Sequence, residues 1–172
     1  MNRRFHLQRI LGSNKKKPSK LILTAKERKL LWYILLEEQR FEDKELAKLW
    51  LLSSGAANLL SHKSNENYYF YLRDHNMLYP NPCFNQIDLD LRRTFPNENQ
   101  NFVEKYIDSL KNVLYTFVKR NPTIGYCQGM NFIVGNLLKI LSEEESFWVF
   151  VSITENILPI DYYSDMLGII VD

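Results

Sequence analysis

Asn97-Glu98-Asn99-Gln100-Asn101-Phe102-Val103-Glu104-Lys105-Tyr106-Ile107-Asp108-Ser109-Leu110-Lys111-Asn112-Val113-Leu114-Tyr115-Thr116-Phe117-Val118-Lys119-Arg120-Asn121, bounded by Pro96 and Pro122, decides the fold class. Phe102, Tyr106, Leu110, Val113, Leu114 and Phe117 recur at helical spacing, with Lys105, Asp108 and Lys111 interspersed, which is the pattern of a helix with one apolar face. Downstream, Met130 to Leu141 is apolar almost all round, including Ile133, Val134, Leu137 and Leu138, and predicts a central helix covered by its neighbours. Ser142-Glu143-Glu144-Glu145 then reads as a capping box that launches Phe147 to Leu158 before Pro159.

Upstream, Thr24-Ala25-Lys26-Glu27 is a second capping box, and Leu30, Leu31, Ile34 and Leu35 form one face of a helix from about 25 to 38. Leu46, Leu49, Trp50, Leu51 and Leu52 run into Ser53-Ser54-Gly55, where glycine permits a left-handed helix end. Between Tyr68 and Leu78 the spacing does not choose between helix and irregular structure, and Pro80 and Pro82 then punctuate the chain into a turn or loop. No useful period-2 alternation and no internal repeat is visible, so the expected architecture is an all-α, irregular multi-helix domain.

A chain of 172 residues with 45% apolar and 13% aromatic content is long enough for one domain with a proper core. Its net charge of +2 hides an asymmetry. Arg3, Arg4, Arg9, Lys15, Lys16, Lys17 and Lys20 stand in residues 1–20 without an acid, so the basic character belongs to a tail and the remainder is net acidic. A solvated, flexible terminus over residues 1–20, ahead of a helical domain over 21–172, accounts for this; contact with an anionic membrane surface or a mitochondrial transit peptide are the other readings. Cys83 and Cys127 alone suggest no disulfide framework. The apolar stretches are far short of a membrane span, and the expected setting is cytoplasmic.

Two short motifs carry the candidate chemistry: Ile87-Asp88-Leu89-Asp90-Leu91-Arg92-Arg93-Thr94-Phe95-Pro96 and Tyr126-Cys127-Gln128-Gly129. In isolation, Asp90 and Arg93 make an ordinary helix pair worth about 0.2–0.5 kcal/mol. Here apolar Ile87, Leu89 and Leu91 surround the aspartate and Thr94-Phe95-Pro96 interrupts the helix after the arginine. That pattern puts Arg93 at an element end, braced by Asp90 and positioned to project. Gln128 either decorates a turn or stands at the mouth of the apolar helix that follows, where the first amides lack intrahelical partners. Tyr126 reads as a packing anchor, since a phenol titrating near pH ~10 suits proton transfer at neutrality poorly. Cys127 reads as a small buried side chain.

Other chemistries find no support. No phosphate-binding Gly-rich loop ending in Gly-Lys occurs, His6, His62 and His75 have no zinc spacing, and Tyr68-Tyr69-Phe70-Tyr71 lacks interleaved cations and reads as core rather than as a nucleic-acid platform.

The two motifs together resemble the TBC domain, the helical GTPase-activating module for Rab proteins. Its Ile-x-x-Asp-x-x-Arg pattern is matched by Ile87, Asp90 and Arg93, and its Tyr-x-Gln pattern by Tyr126 and Gln128. The likeness extends from about residue 45. Trp50 matches a family tryptophan, while Leu46 and Ala47 stand where an arginine and a glycine usually lie; Gly129-Met130-Asn131 and Leu158-Pro159 are also similar. The resemblance implies that Arg93 and Gln128 are catalytic fingers offered in trans to a Rab-family GTPase, with Asp90, Ile87, Tyr126 and Trp50 in support. It implies that GTP and magnesium come with the partner, with no cofactor of the chain's own, and that the setting is vesicle trafficking, peripheral at endomembranes, with no nucleic acid. The chain would activate hydrolysis without being a GTPase.

TBC domains continue into a second helical subdomain, so an ending at Gly168-Ile169-Ile170-Val171-Asp172 raises the expectation of a domain truncated after its N-terminal part. Ile157, Leu158, Leu167, Ile169, Ile170 and Val171 would then form an uncovered apolar end. A non-catalytic helical module that binds a small GTPase or acts as a scaffold is the alternative function.

Overall fold

The computed structural model describes residues 23–37, 41–75, 81–159 and 162–163; the basic tail, and Leu167, Ile169, Ile170 and Val171 of the expected apolar end, lie outside them. Every regular element among the described residues is helical. The chain divides into two compact units, one ending at Glu66 and one beginning at Asn67.

The first unit contains α1 (Ala25–Glu37), α2 (Asp43–Ser54), α3 (Ala56–Ser61) and a 3-10 turn (Lys63–Asn65). The Thr24 capping box forms as expected: the Thr24 amide donates to Glu27 at 2.8 Å and the Glu27 amide to the Thr24 hydroxyl at 3.3 Å. Gly55 ends α2 in the left-handed region at φ 87°, and α3 starts directly beyond it. Helices α1 and α2 pack together, with the rings of Trp32 and Trp50 meeting edge-on at 5.1 Å between centroids.

The second unit holds α4 (Tyr68–Asp74), α5 (Cys83–Leu91), α6 (Gln100–Arg120), α7 (Met130–Leu138) and α8 (Glu143–Ser152), which passes into a π turn (Ile153–Ile157). The stretch left open between Tyr68 and Leu78 is therefore a helix as far as Asp74. Helix α6 is the long amphipathic element that the sequence predicts, and α4, α5, α7 and α8 all pack on it. Asn99 starts it by accepting the Phe102 amide at 2.9 Å. Leu110, Val113, Leu114, Phe117 and Val118 are fully buried; removing each such side chain from water stabilises the fold by roughly 1.5–3 kcal/mol.

The expected central helix is not the one that is covered. Helix α7 buries Met130, Asn131, Val134, Gly135, Leu137 and Leu138, but Phe132 and Ile133 are exposed at 43% and 37%, so it is one-sided despite its composition. The enclosed element is α8, buried at every position from Ser146 to Ser152. Its Ser142 capping box is present, the Glu145 amide donating to the Ser142 hydroxyl at 3.4 Å and the Ser142 amide to Glu145 at 3.0 Å. Glu143, in the first turn, accepts from the Tyr69 hydroxyl at 2.7 Å, from Arg73 Nη1 at 3.3 Å and from Asn112 Nδ2 at 3.4 Å, joining α4, α6 and α8 through one carboxylate. The aromatic run in α4 is core only at Tyr69, since Phe70 and Tyr71 are exposed. A helix of seven residues against α6 and α8 buries one ring of the run completely; Tyr68 is half-buried, its ring 5.8 Å from that of Trp148, and Phe70 and Tyr71 face out.

Gly135 sets how closely α7 approaches the segment after α5. A Cβ there would lie 2.9 Å from Thr94 Cγ2 and 3.1 Å from the Phe95 ring. Gly to Ala inside a helix ordinarily stabilises by about 1 kcal/mol, whereas overpacking costs about 1–3 kcal/mol. Gly135→Ala is therefore expected to lower the thermal unfolding midpoint, and a midpoint at or above that of the parent chain would show that this contact yields freely.

Candidate functional site

Helix α5 is seated on α6 by three contacts made from Phe84 and Asp88 on successive turns. The Phe84 ring stacks on Tyr115 at 3.7 Å between centroids, the Tyr115 hydroxyl donates to Asp88 Oδ2 at 2.9 Å, and Lys111 pairs with Asp88 at 2.9 Å. Burial, and then the bond to Asp88, push the Tyr115 phenol above its usual range. Ile87 and Leu91 are buried on the same helix, so its rotation is fixed and Asp90 is carried inside, with no exposed surface.

The helix stops at Leu91. Backbone bonds from Arg93 N–H to Asp90 C=O at 3.2 Å and from Thr94 N–H to Leu91 C=O at 3.2 Å close the last turn. Arg93 leaves this turn with its side chain 52% exposed, as the motif predicts for a residue at an element end. Its guanidinium folds back on Asp90: Nε donates to Oδ1 at 2.7 Å and Nη2 to the same oxygen, while Nη1 has no protein partner among the described residues. Arg92 is an exposed residue at the helix cap.

The second motif reaches the same carboxylate. Tyr126 is 3% exposed and its hydroxyl donates to Asp90 Oδ2 at 2.7 Å. Burial, then that hydrogen bond, raise the phenol well above the ordinary tyrosine value, so the group remains a donor. It is the anchor expected from the sequence, with a polar task added. Cys127 is buried, which pushes its thiol up and keeps it protonated. Gln128 follows in an exposed turn, its side-chain amide making no hydrogen bond among the described residues. Gly129 closes the turn at φ +103° and caps α7, a conformation that an L side chain enters only with strain.

Asp90, Arg93 and Tyr126 are thus brought together, Ile87 holds their helix in register, and Gln128 lies two residues beyond the Tyr126 bond. Trp50 belongs to the first unit, where it packs on Trp32. The motif reading missed Gln86, whose Nε2 donates to Asp90 Oδ1 at 3.3 Å. Its position four residues before Asp90 on a helix was the available signal. The arrangement offers anionic oxygen a half-exposed guanidinium with a fixed base and an exposed primary amide.

The family model for the Rab-GTPase-TBC domain matches residues 26–171. The chain belongs to this family. It is 50% identical over 90 residues to human TBC1 domain family member 2A, covering 50% of this chain and 10% of that protein. The giant panda (Ailuropoda melanoleuca) protein of the same name is 44% identical over 110 residues, or 62% of this chain and 12% of the relative. Human TBC1 domain family member 2B is 47% identical over 90 residues, or 51% and 9%. This Rab-GTPase-TBC chain therefore spans about a tenth of the length of the relatives it matches. No solved structure gives a significant match. None of the described helices is long and apolar enough to cross a membrane.

The Tyr126 phenol gives the site an alkaline signature. The folded TBC chain holds this proton more tightly than the unfolded chain, whose tyrosines ionise near pH ~10. Above that pH the unfolded state therefore loses its proton first and stability falls. Tyr126→Phe is expected to cost about 1.5–3 kcal/mol at pH 7, through the lost bond to a charged acceptor, and to make the decline above pH ~10 shallower. Urea unfolding midpoints across pH 7–11 measure both; an unchanged alkaline slope would mean that Tyr126 titrates alike in both states.

Proposed function

We propose that this TBC chain accelerates GTP hydrolysis on a Rab-family GTPase by presenting Arg93 and Gln128 to nucleotide and magnesium that the partner carries. The observation that carries this reading is the single buried carboxylate on which the two motifs meet: Asp90 grips Arg93 from one segment and Tyr126 from the other. In such hydrolysis the protein's contribution is charge stabilisation and orientation of the attacking water, and both can come from a second protein. Arg93 places a cation against the oxygens that gain charge. Gln128, in an exposed turn, can accept from the water and donate to a phosphate oxygen.

The base of Arg93 is held through Nε and Nη2, so the donor directed away from Asp90 is Nη1. A guanidinium oriented before the encounter loses less freedom on forming the transition-state contact. Membrane attachment then belongs to the lipidated partner and its vesicle, with the basic residues 1–20 as a further, cationic contact to anionic lipid.

Single-turnover hydrolysis over a panel of GTP-loaded Rab proteins tests the proposal. Arg93→Lys is expected to reduce the stimulated rate by ~10³-fold, or ~4 kcal/mol, because an ammonium lacks the planar fork. Arg93→Ala is expected to do the same, but it also strands a buried carboxylate, so its fold must be checked by circular dichroism. Arg92→Ala serves as the control with little effect; the opposite ranking would move the finger to Arg92.

Gln128→Ala is expected to cut turnover sharply, while replacing the partner's own water-orienting glutamine leaves stimulation largely intact. Loss of stimulation from the partner's substitution alone would reduce Gln128 to a turn residue. Binding of a Rab with the rate left at its intrinsic value would identify a non-catalytic module.

A further inference from the structure

Asn131 is fully enclosed, 1% exposed, and stands at the second position of α7, three residues after Gln128. An amide buried there must find partners or cost stability. Its Oδ1 accepts from the Gly129 backbone N–H at 3.2 Å, inside the turn that carries Gln128. Its Nδ2 donates to Thr94 Oγ1 at 2.9 Å and reaches the Asp90 carbonyl at 3.5 Å, inside the turn that carries Arg93. Thr94, also buried, donates its own hydroxyl hydrogen to the Asp90 carbonyl at 2.8 Å.

The polarity of this chain is determined. The Gly129 N–H only donates, so it must face Oδ1; the Thr94 hydrogen is committed to Asp90, so its oxygen is free to accept from Nδ2. A flipped amide would set donor against donor. The missing side chain at Gly135, one turn along the same face of α7, is what admits Thr94 to this distance.

The consequence lies in the order of residues. Arg93 stands between Asp90 and Thr94, and Gln128 stands between Tyr126 and Asn131. The flanking residues are bonded across the two segments, Tyr126 to the Asp90 carboxylate and Asn131 to Thr94. We propose that Asn131 is a positioning residue which, with Thr94, locks the Gln128 turn to the Arg93 turn and so fixes the separation of the two fingers. It touches neither nucleotide nor partner. The proposal rests on the reading of Arg93 and Gln128 as fingers, and a misplacement of about 1 Å in such a site is worth as much as 10²-fold in rate.

The test has one arm that needs no activity. Thr94→Val removes the hydroxyl with little change in shape, and Thr94→Ser keeps it. Amide hydrogen exchange followed by NMR is expected to show faster exchange at Gly129 in Thr94→Val, 35 residues away in sequence. Leu114 and Phe117 should stay protected, and Thr94→Ser should restore Gly129. In the second arm, kcat and KM for stimulated hydrolysis are measured on a GTP-loaded Rab that the parent chain stimulates.

Asn131→Ala and Thr94→Val are expected to lower kcat at least tenfold with KM unchanged, and Asn131→Ala should add little in a Gln128→Ala background. Unaltered Gly129 exchange would overturn the link itself. Altered exchange with kcat intact would overturn the positioning role. Altered exchange in a parent chain that stimulates no Rab would instead overturn the catalytic reading and leave Asn131 as a structural tie.

Discussion

A carboxylate without solvent around it governs the end of the second unit where the two motifs meet. Moving Asp90 out of water costs several kcal/mol even after relaxation, and the fold answers with four donors: Arg93 Nε and Nη2, Gln86 Nε2 and the Tyr126 hydroxyl. Three come from its own helix and the turn that ends it, and the fourth comes from 36 residues away. The partners of this one charge thus dictate where two chain segments must meet. The stacked Phe84–Tyr115 pair and the Lys111–Asp88–Tyr115 contacts serve the same end at a distance, by keeping α5 from rolling and carrying Asp90 into solvent.

Carboxylates that tie elements together recur in this unit, one fully buried at Asp90 and one part-buried at Glu143. Glu143 joins α4, α6 and α8 much as Asp90 joins α5 to the loop before α7, in each case through a carboxylate whose oxygens are shared among donors from separate elements. Apolar packing on α6 supplies most of the stability, but it is non-directional. The carboxylates supply direction, because a donor displaced by an ångström leaves a charge uncompensated.

What was legible in the chain was whatever local chemistry decides. The capping boxes at Thr24 and Ser142, the left-handed stop at Gly55, the long amphipathic α6 and the escape of Arg93 past a helix end each depend on residues within about four positions of one another. Burial across elements was not legible. Composition marked Met130–Leu141 as the enclosed helix, yet Phe132 and Ile133 face solvent and α8 is enclosed instead, since hydropathy counts apolar residues without saying how many sides of a helix have neighbours. The bond from Tyr126 to Asp90 was equally hidden. The aromatic body predicted an anchor, but nothing near Tyr126 in sequence names its acceptor. Gln86 was visible in principle by its helical spacing from Asp90, and was obscured because glutamine at such a position is ordinary.

The bond between Asn131 and Thr94 also limits how this chain can be rebuilt. A segment transplanted from a relative to replace residues 87–94 arrives with its own residue at 94, and a partner lacking a hydroxyl there would face an amide it cannot satisfy. The same graft performed on residues 126–135 meets the reciprocal mismatch, together with the 2.9 Å limit that Gly135 imposes beside Thr94. The two segments form one inheritable cassette despite the long helix between them, and chimaeras that exchange them jointly preserve a geometry that single exchanges break.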